Sequence, residues 1–215
     1  MSLNDELTAF YEDFHRTLPK QVSDTIKDST RDFRESFRSP AAVQVGQRFP
    51  EFRLADATGK QVASADLLAQ GALLITFYRG EWCPYCNLAL KALQRHVRDF
   101  KAKGVTLLAI SPELPNQALT TQQKNELEFT VLSDVGNQLA KRLGILFPQP
   151  DSMRPVFAGY AIDLAVRNGD DSLEVPVPAT FLVDRLGTIR NAFVDPDYTK
   201  RIEPATALEW IDALG

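Results

Sequence analysis

Positive charge is not in surplus in this sequence. Lys plus Arg number 24 against 28 Asp plus Glu, a formal charge of −4 at pH 7. No excess exists to neutralise a phosphate backbone, so nucleic acid is a poor candidate partner. Long apolar runs are missing as well: the segment Ala72 to Tyr78 falls far short of the roughly 20 residues that cross a bilayer. The opening residues, Met1-Ser2-Leu3-Asn4-Asp5-Glu6, carry neither a basic n-region nor an apolar h-region. A cytoplasmic protein that engages no membrane is therefore expected. Histidine and cysteine are scarce, with two of each. A structural zinc site needs four ligands; Cys83, Cys86 and His96 fall short of that and His15 is remote in sequence, so neither metal nor other cofactor is expected.

What is there reads as an ordinary globular chain. Its 215 residues, 44% hydrophobic and 24% charged, suit one domain with something added. The first 39 residues differ from the rest: no Gly, one Pro, and 14 charged residues. Leu3, Leu7, Phe10, Phe14 and Leu18, then Val22 and Ile26, then Phe33 and Phe37 recur at helical steps. Pro19 should divide this arm into two helices, and Ser39-Pro40 should end it. The division is 1–39, a helical arm, and 40–215, the main domain. The arm's apolar stripe is expected to lie against the domain body or a second subunit, which allows a homodimer through the arm.

From Gly46 the texture changes to short apolar runs. Phe52-Arg53-Leu54 with Thr58-Gly59 suggests a hairpin. Leu73 to Tyr78 and Val105 to Ile110 read as buried strands, joined by one long helix running from Pro84 towards Gly104. That is a βαβ unit with a parallel pair. A helix over 116–126, a strand over 129–132, a helix capped by Asp134, an antiparallel pair (180–184 and 188–194) and a helix opening at Pro204 follow. Residues 144–176 give no clear pattern. The whole predicts an α/β fold, a mixed central sheet with helices on both faces.

Cys83 and Cys86 stand at the junction of the first buried strand and the long helix, in Phe77-Tyr78-Arg79-Gly80-Glu81-Trp82-Cys83-Pro84-Tyr85-Cys86. The carboxyl edge of a parallel sheet is where such folds place chemistry, and a helix N-terminus favours thiolate. Two thiols at this spacing beside a βαβ unit point to redox chemistry. Arg79 is read either as a group that lowers a thiol pKa or as a surface residue, Trp82 and Tyr85 as covers or as plain packing, and Glu81 as solvated.

On Gly46, Pro50 to Leu54, the Trp82-to-Cys86 motif and the string Pro178 to Asp184, residues 46–200 resemble the peroxiredoxin-like (alkyl hydroperoxide reductase/thiol-specific antioxidant) branch of the thioredoxin superfamily. The resemblance implies a thioredoxin-like fold and a thiol-dependent antioxidant oxidoreductase. It would cycle a Cys83–Cys86 dithiol, take peroxide or disulfide as acceptor, and use a thioredoxin or glutathione-type reductant. Supporting residues would be Arg79, Trp82, Pro84, Tyr85, Pro178 and Thr180. The departures are specific. With Cys86 at the peroxidatic position, Arg79 stands where the family has Pro, Cys83 where it has Thr, and Pro178 where it has Arg. Two cycles stay open: Cys83 attacks a disulfide and Cys86 resolves, as in thioredoxin, or Cys86 is oxidised by peroxide and Cys83 condenses with it. A thioredoxin-fold binding module without catalysis is the remaining class. From helix position, Cys83 is expected to be exposed and to have the lower pKa, and Val177–Pro178 is expected to be cis, opposite Cys83.

Overall fold

The structure, a computed structural model, describes residues 1–37 and 42–214; the Ser39-Pro40 boundary lies outside the described residues. The arm forms α1 (Leu3–Thr17) and α2 (Lys20–Ser36), parted at Leu18-Pro19 as the proline requires. A reciprocal capping box closes the start of α1: Asp5 N–H donates to Ser2 Oγ at 3.1 Å and Ser2 N–H to Asp5 Oδ2 at 3.0 Å. Glu203, nearly the whole chain away, accepts from the N–H groups of Leu3 and Asn4 at 3.1 and 2.7 Å. A carboxylate there satisfies orphan donors and complements the helix dipole.

The stripe lies on the chain's own body. Leu3, Leu7 and Ile26 are buried. Phe10 meets Tyr85 edge-on, ring centroids 5.1 Å apart, and Phe33 stacks on Phe147 at 3.8 Å. The apolar face that suggested an arm-mediated dimer is thus occupied within one chain. Leu7→Ala should cost about 2–5 kcal/mol, the price of a buried leucine plus its residual cavity; the midpoint of urea unfolding checks it, and a loss below 1 kcal/mol would place the arm loosely on the body.

The body contains β1 (Arg53–Asp56), β2 (Gln61–Ala63), α3 (Ser64–Leu68), β3 (Ala72–Phe77), α4 (Pro84–Gln94), α5 (Val97–Ala102), β4 (Val105–Ser111), α6 (Pro115–Lys124) and β5 (Thr130–Ser133). After these come α7 (Gln138–Leu143), β6 (Leu146–Pro148), α8 (Arg154–Gly159), α9 (Leu164–Asn168), β7 (Glu174–Pro176), β8 (Ala179–Val183), β9 (Ile189–Val194) and α10 (Pro204–Asp212). Seven strands form one mixed sheet in the order β2-β1-β5-β4-β3-β8-β9. β3–β4 and β4–β5 are parallel, and β8 runs antiparallel to β3 with Thr76 opposite Thr180. Every residue of β3 is buried, which explains its unbroken apolar reading. β6 and β7 pair separately, in the stretch the sequence left unread.

Three expectations change. The single helix after Pro84 is two, because His96 leaves the helical conformation (φ −112°, ψ 7°) and its N–H turns to Leu93 O at 3.0 Å. Both pieces still bury their apolar sides, Leu90, Leu93 and Phe100 included. Asp134 does cap a helix, but across an intervening 3-10 turn, accepting from Leu139 and Ala140 N–H at 2.9 Å. No cis peptide occurs among the described residues, so Val177–Pro178 is trans. Val177 N–H donates to Ile145 O at 2.6 Å, and trans is the ordinary isomer of an X–Pro bond.

Candidate active site

β3 delivers Tyr78 to the carboxyl edge of the sheet, and the loop Arg79–Trp82 turns the chain into α4. Cys83 is the N-cap of α4 and Pro84 its first residue, where a missing N–H costs nothing. The Cys83 carbonyl accepts from Cys86 and Asn87 N–H, both at 3.1 Å. Gly80 makes the turn possible. Its φ is +150°, and a Cβ there would lie 2.3 Å from Trp82 Nε1 and 2.7 Å from Trp82 Cδ1. Gly80→Ala should therefore displace the Trp82 ring and destabilise the fold by about 1–3 kcal/mol. Tryptophan emission and thermal unfolding read the two effects, and an unmoved spectrum would show that the ring has room.

The loop is staked from both sides. Glu81 N–H donates to buried Glu113 Oε2 at 2.9 Å, and Asn87 Nδ2 donates to Glu81 O at 2.7 Å. Glu81 is itself buried, paired with Lys124 and, at 3.2 Å, with Arg167, which also reaches Glu113 at 3.3 Å. The expectation of a solvated Glu81 is thus corrected: the strand-to-helix turn folds it under α6 and α9. Burial pushes the Glu113 carboxyl up to about 7, against the Glu81 N–H and Arg167.

Both cysteines are free thiols in this state and both are buried, Cys83 at 1% exposure and Cys86 at 0%. Cys83 is not exposed at its helix start: it borders a cavity whose other walls come from the arm and from residues 147–162. Arg79 is no surface residue either: at 4% exposure its guanidinium lies 4.8 Å from the Trp82 ring centre and 4.3 Å from that of Tyr198. Arg201, after β9, brings Nη2 to 3.3 Å from Cys86 Sγ. It is held there by the carbonyls of Tyr198 and Lys200, the latter at 2.7 Å.

These surroundings reverse the expected order of the thiols. Burial opposes ionisation of Cys86, but the Cys83 hydrogen bond, the Arg201 charge, the Arg79 N–H and the Arg79 charge outweigh it and bring the thiol down to about 5. Cys83 moves the other way. Burial and its hydrogen bond to Cys86 hold it protonated, well above the ordinary thiol range, despite Arg79 and Arg201. These surroundings favour a thiolate at Cys86, with Cys83 as the protonated thiol beside it.

The remaining sequence candidates fall into place unevenly. Tyr85 packs edge-on between Phe10 and Tyr198. Trp82 meets Phe157 edge-on at 5.3 Å, tying the loop to α8. Thr180 does not serve the thiols: its hydroxyl donates to Thr76 Oγ1 at 3.1 Å within the sheet. Pro178 is buried just before β8. His96 hydrogen-bonds Asp99 at 3.1 Å. Arg201, Tyr198, Glu113 and Arg167 were missed. They stand on three segments away from the cysteines in sequence, Tyr198 and Arg201 together in the loop after β9, and no spacing announces them. A cavity of about 400 Å³ adjoins Cys83, Arg79, Trp82 and Tyr198, walled by Phe14 and Ile26 of the arm and by Phe147, Met153, Phe157 and Ile162.

The AhpC/TSA family model matches residues 45–192. The chain belongs to the AhpC/TSA family. Peroxiredoxin Bcp of Escherichia coli strain K12 is 31% identical over 103 residues, which are 48% of this chain and 65% of that relative. The chain thus spans a little under two thirds of that relative's length. Thiol-disulfide oxidoreductase ResA of Bacillus thuringiensis is 27% identical over 117 residues, 54% of this chain and 66% of that protein. Among solved structures, the peroxidoxin BcpB from Mycobacterium tuberculosis superposes with a TM-score of 0.63 at 17% identity, covering 80% of this chain and 99% of that one. The fold is therefore the peroxiredoxin-type, thioredoxin-like one. Arg201, Tyr198 and the arm lie outside the stretch the family model matches.

Proposed function

We propose that the protein is a thiol-dependent peroxidase in which Cys86 is the peroxidatic thiolate and Cys83 the resolving thiol. One observation carries the reading: the Cys86 sulfur is fully buried with Arg201 Nη2 at 3.3 Å, and that charge, the Arg79 N–H and the Cys83 thiol all favour its thiolate. Thiolate attack on the distal peroxide oxygen breaks the O–O bond, gives a sulfenic acid at Cys86 and releases an alkoxide or hydroxide. Arg201 stands where charge develops on the departing oxygen, taking over the part of the arginine that Pro178 replaces. Cys83 then condenses with the sulfenic acid, releasing water, and an external thiol restores the pair. Belonging to the AhpC/TSA family and likeness to Bcp support this cycle.

The chain titrates accordingly. Because the thiolate form reacts, the rate should be flat from pH 7 to 8 and fall as pH drops through about 5, the pKa of Cys86. Stopped-flow consumption of hydrogen peroxide against pH checks this; a rate still rising tenfold per pH unit at pH 7 would contradict it.

The ResA likeness favours a second reading, reduction of protein disulfides. Burial of both sulfurs opposes it, since a protein disulfide must reach one of them. Brisk reduction of insulin disulfides without peroxide turnover would establish that reading. Two arginines converging on one thiol speak against a binding module without catalysis. No helix among the described residues is long and apolar enough to cross a membrane. A cytoplasmic setting, where a thiol pool keeps the pair reduced, suits the cycle.

A further inference from the structure

The charge balance around the thiols changes when they oxidise, and that change selects a reductant. Arg79 and Arg201 are 4% and 8% exposed. Among the described residues, neither pairs with a carboxylate: Arg79 lies between two aromatic rings with its Nε unpartnered, and Arg201 bonds carbonyls and Cys86 Sγ. Among the described residues, the anion that both act on is the Cys86 thiolate. Oxidation by a hydroperoxide consumes it: ROOH, Cys83–SH, Cys86–S⁻ and one proton give ROH, water and the Cys83–Cys86 disulfide. Two buried guanidiniums then face no anion, a state that proteins avoid or relieve by taking one up.

The cavity beside them is the place where an anion can enter. It adjoins Cys83 and Arg79 but not Cys86, and most of its wall is apolar. At about 400 Å³ it suits a small molecule. A protein thiol would have to displace the arm and α8 to touch a sulfur that is 1% exposed. Attack at Cys83 is also the chemically favoured direction, because it expels Cys86, the thiolate with the lower pKa.

We propose that the disulfide form is reduced by a small thiol carrying a carboxylate, which enters this cavity, is drawn by Arg79 and attacks Cys83. This rests on the reading that the pair forms a disulfide. The first thiolate, RS⁻, attacks Cys83 Sγ, forming RS–S–Cys83 and releasing Cys86–S⁻. A second RS⁻ attacks the R sulfur, giving RSSR and a Cys83 thiolate that takes a proton. Two electrons pass from two thiols to the protein disulfide.

The test uses the full chain, oxidised with diamide so that peroxide reactivity is not involved. Its reduction is followed by tryptophan fluorescence with 3-mercaptopropionate, 2-mercaptoethanol and cysteamine, each rate divided by the thiolate concentration. The carboxylate thiol should exceed the neutral one by about tenfold or more, with cysteamine slowest. Arg79→Gln should bring the three together, and acid-quenched peptide maps should place the adduct on Cys83. Equal rates, an adduct on Cys86, or faster reduction by bacterial thioredoxin at equal concentration would overturn the proposal. If Arg79→Gln does not fold, the wild-type charge series and the adduct position decide alone. Failure of diamide to form the disulfide would instead defeat the underlying reading.

Discussion

Cys86→Ser should abolish peroxide consumption, while Cys83→Ser should keep one turnover and lose the rest. The asymmetry follows from the two environments. Cys86 carries the charge, and a serine hydroxyl in its place cannot ionise near neutral pH even beside Arg201. A nucleophile removed from a preorganised site leaves only the background, a loss on the order of 10⁴-fold or more. In Cys83→Ser the hydroxyl can still donate to the Cys86 thiolate, so the first oxidation should proceed at close to the native rate. The sulfenic acid then has no partner and accumulates, detectable as one added oxygen on the peptide containing Cys86. Stopped-flow traces with hydrogen peroxide, with and without a thiol donor, separate the variants. Multiple turnovers in Cys86→Ser would transfer the peroxidatic role to Cys83.

Arg201→Gln should lower the peroxide rate at pH 7 by about 10²–10³-fold. Two effects combine. An opposite charge beside a thiol depresses its pKa by about one to three, so removing Arg201 should move the titration of Cys86 from about 5 towards neutrality. That part of the loss should be recovered at pH 9, where the thiol ionises without help. The part due to the departing oxygen should persist at every pH, because Arg201 lies 3.3 Å from Cys86 Sγ, close enough to donate to an oxygen leaving from the attacked peroxide. The sign for stability is the same. A thiolate whose folded pKa is depressed adds stability that is complete above the unfolded thiol pKa, and it is lost as pH falls through about 5. The variant should lose much of that dependence. A pH-independent loss with an unchanged thiol titration would confine Arg201 to the leaving group.

The central fold was legible because its signals are local. β3 and β4 are short apolar runs buried on both faces, α10 opens on a proline, and Pro19 splits the arm, each a consequence of neighbouring residues. The break at His96 was hidden because Leu90, Leu93 and Phe100 keep a helical spacing whether or not the backbone slips between them. Residues 144–176 resisted reading because their short helices and the β6–β7 pair are held by tertiary contacts, such as Phe147 on Phe33 and Phe157 on Trp82. At the site, the spacing exposed Cys83 and Cys86, but their order of acidity was misread. Helix position favours the N-cap thiol, whereas burial plus a buried arginine decides the matter here. That arginine comes from a loop 115 residues away, and no property of Asp197 to Arg201 in sequence distinguishes it from other basic segments.

Thiolate absorbance near 240 nm, titrated from pH 3 to 10 in the reduced protein and in Cys83→Ser and Cys86→Ser, shows which cysteine ionises and needs no reagent to reach a buried sulfur. A step near pH 5 is expected in the native protein, retained in Cys83→Ser though moved somewhat upward, and absent from Cys86→Ser. A step that survives in Cys86→Ser and vanishes in Cys83→Ser, or no ionisation below pH 8, would contradict it.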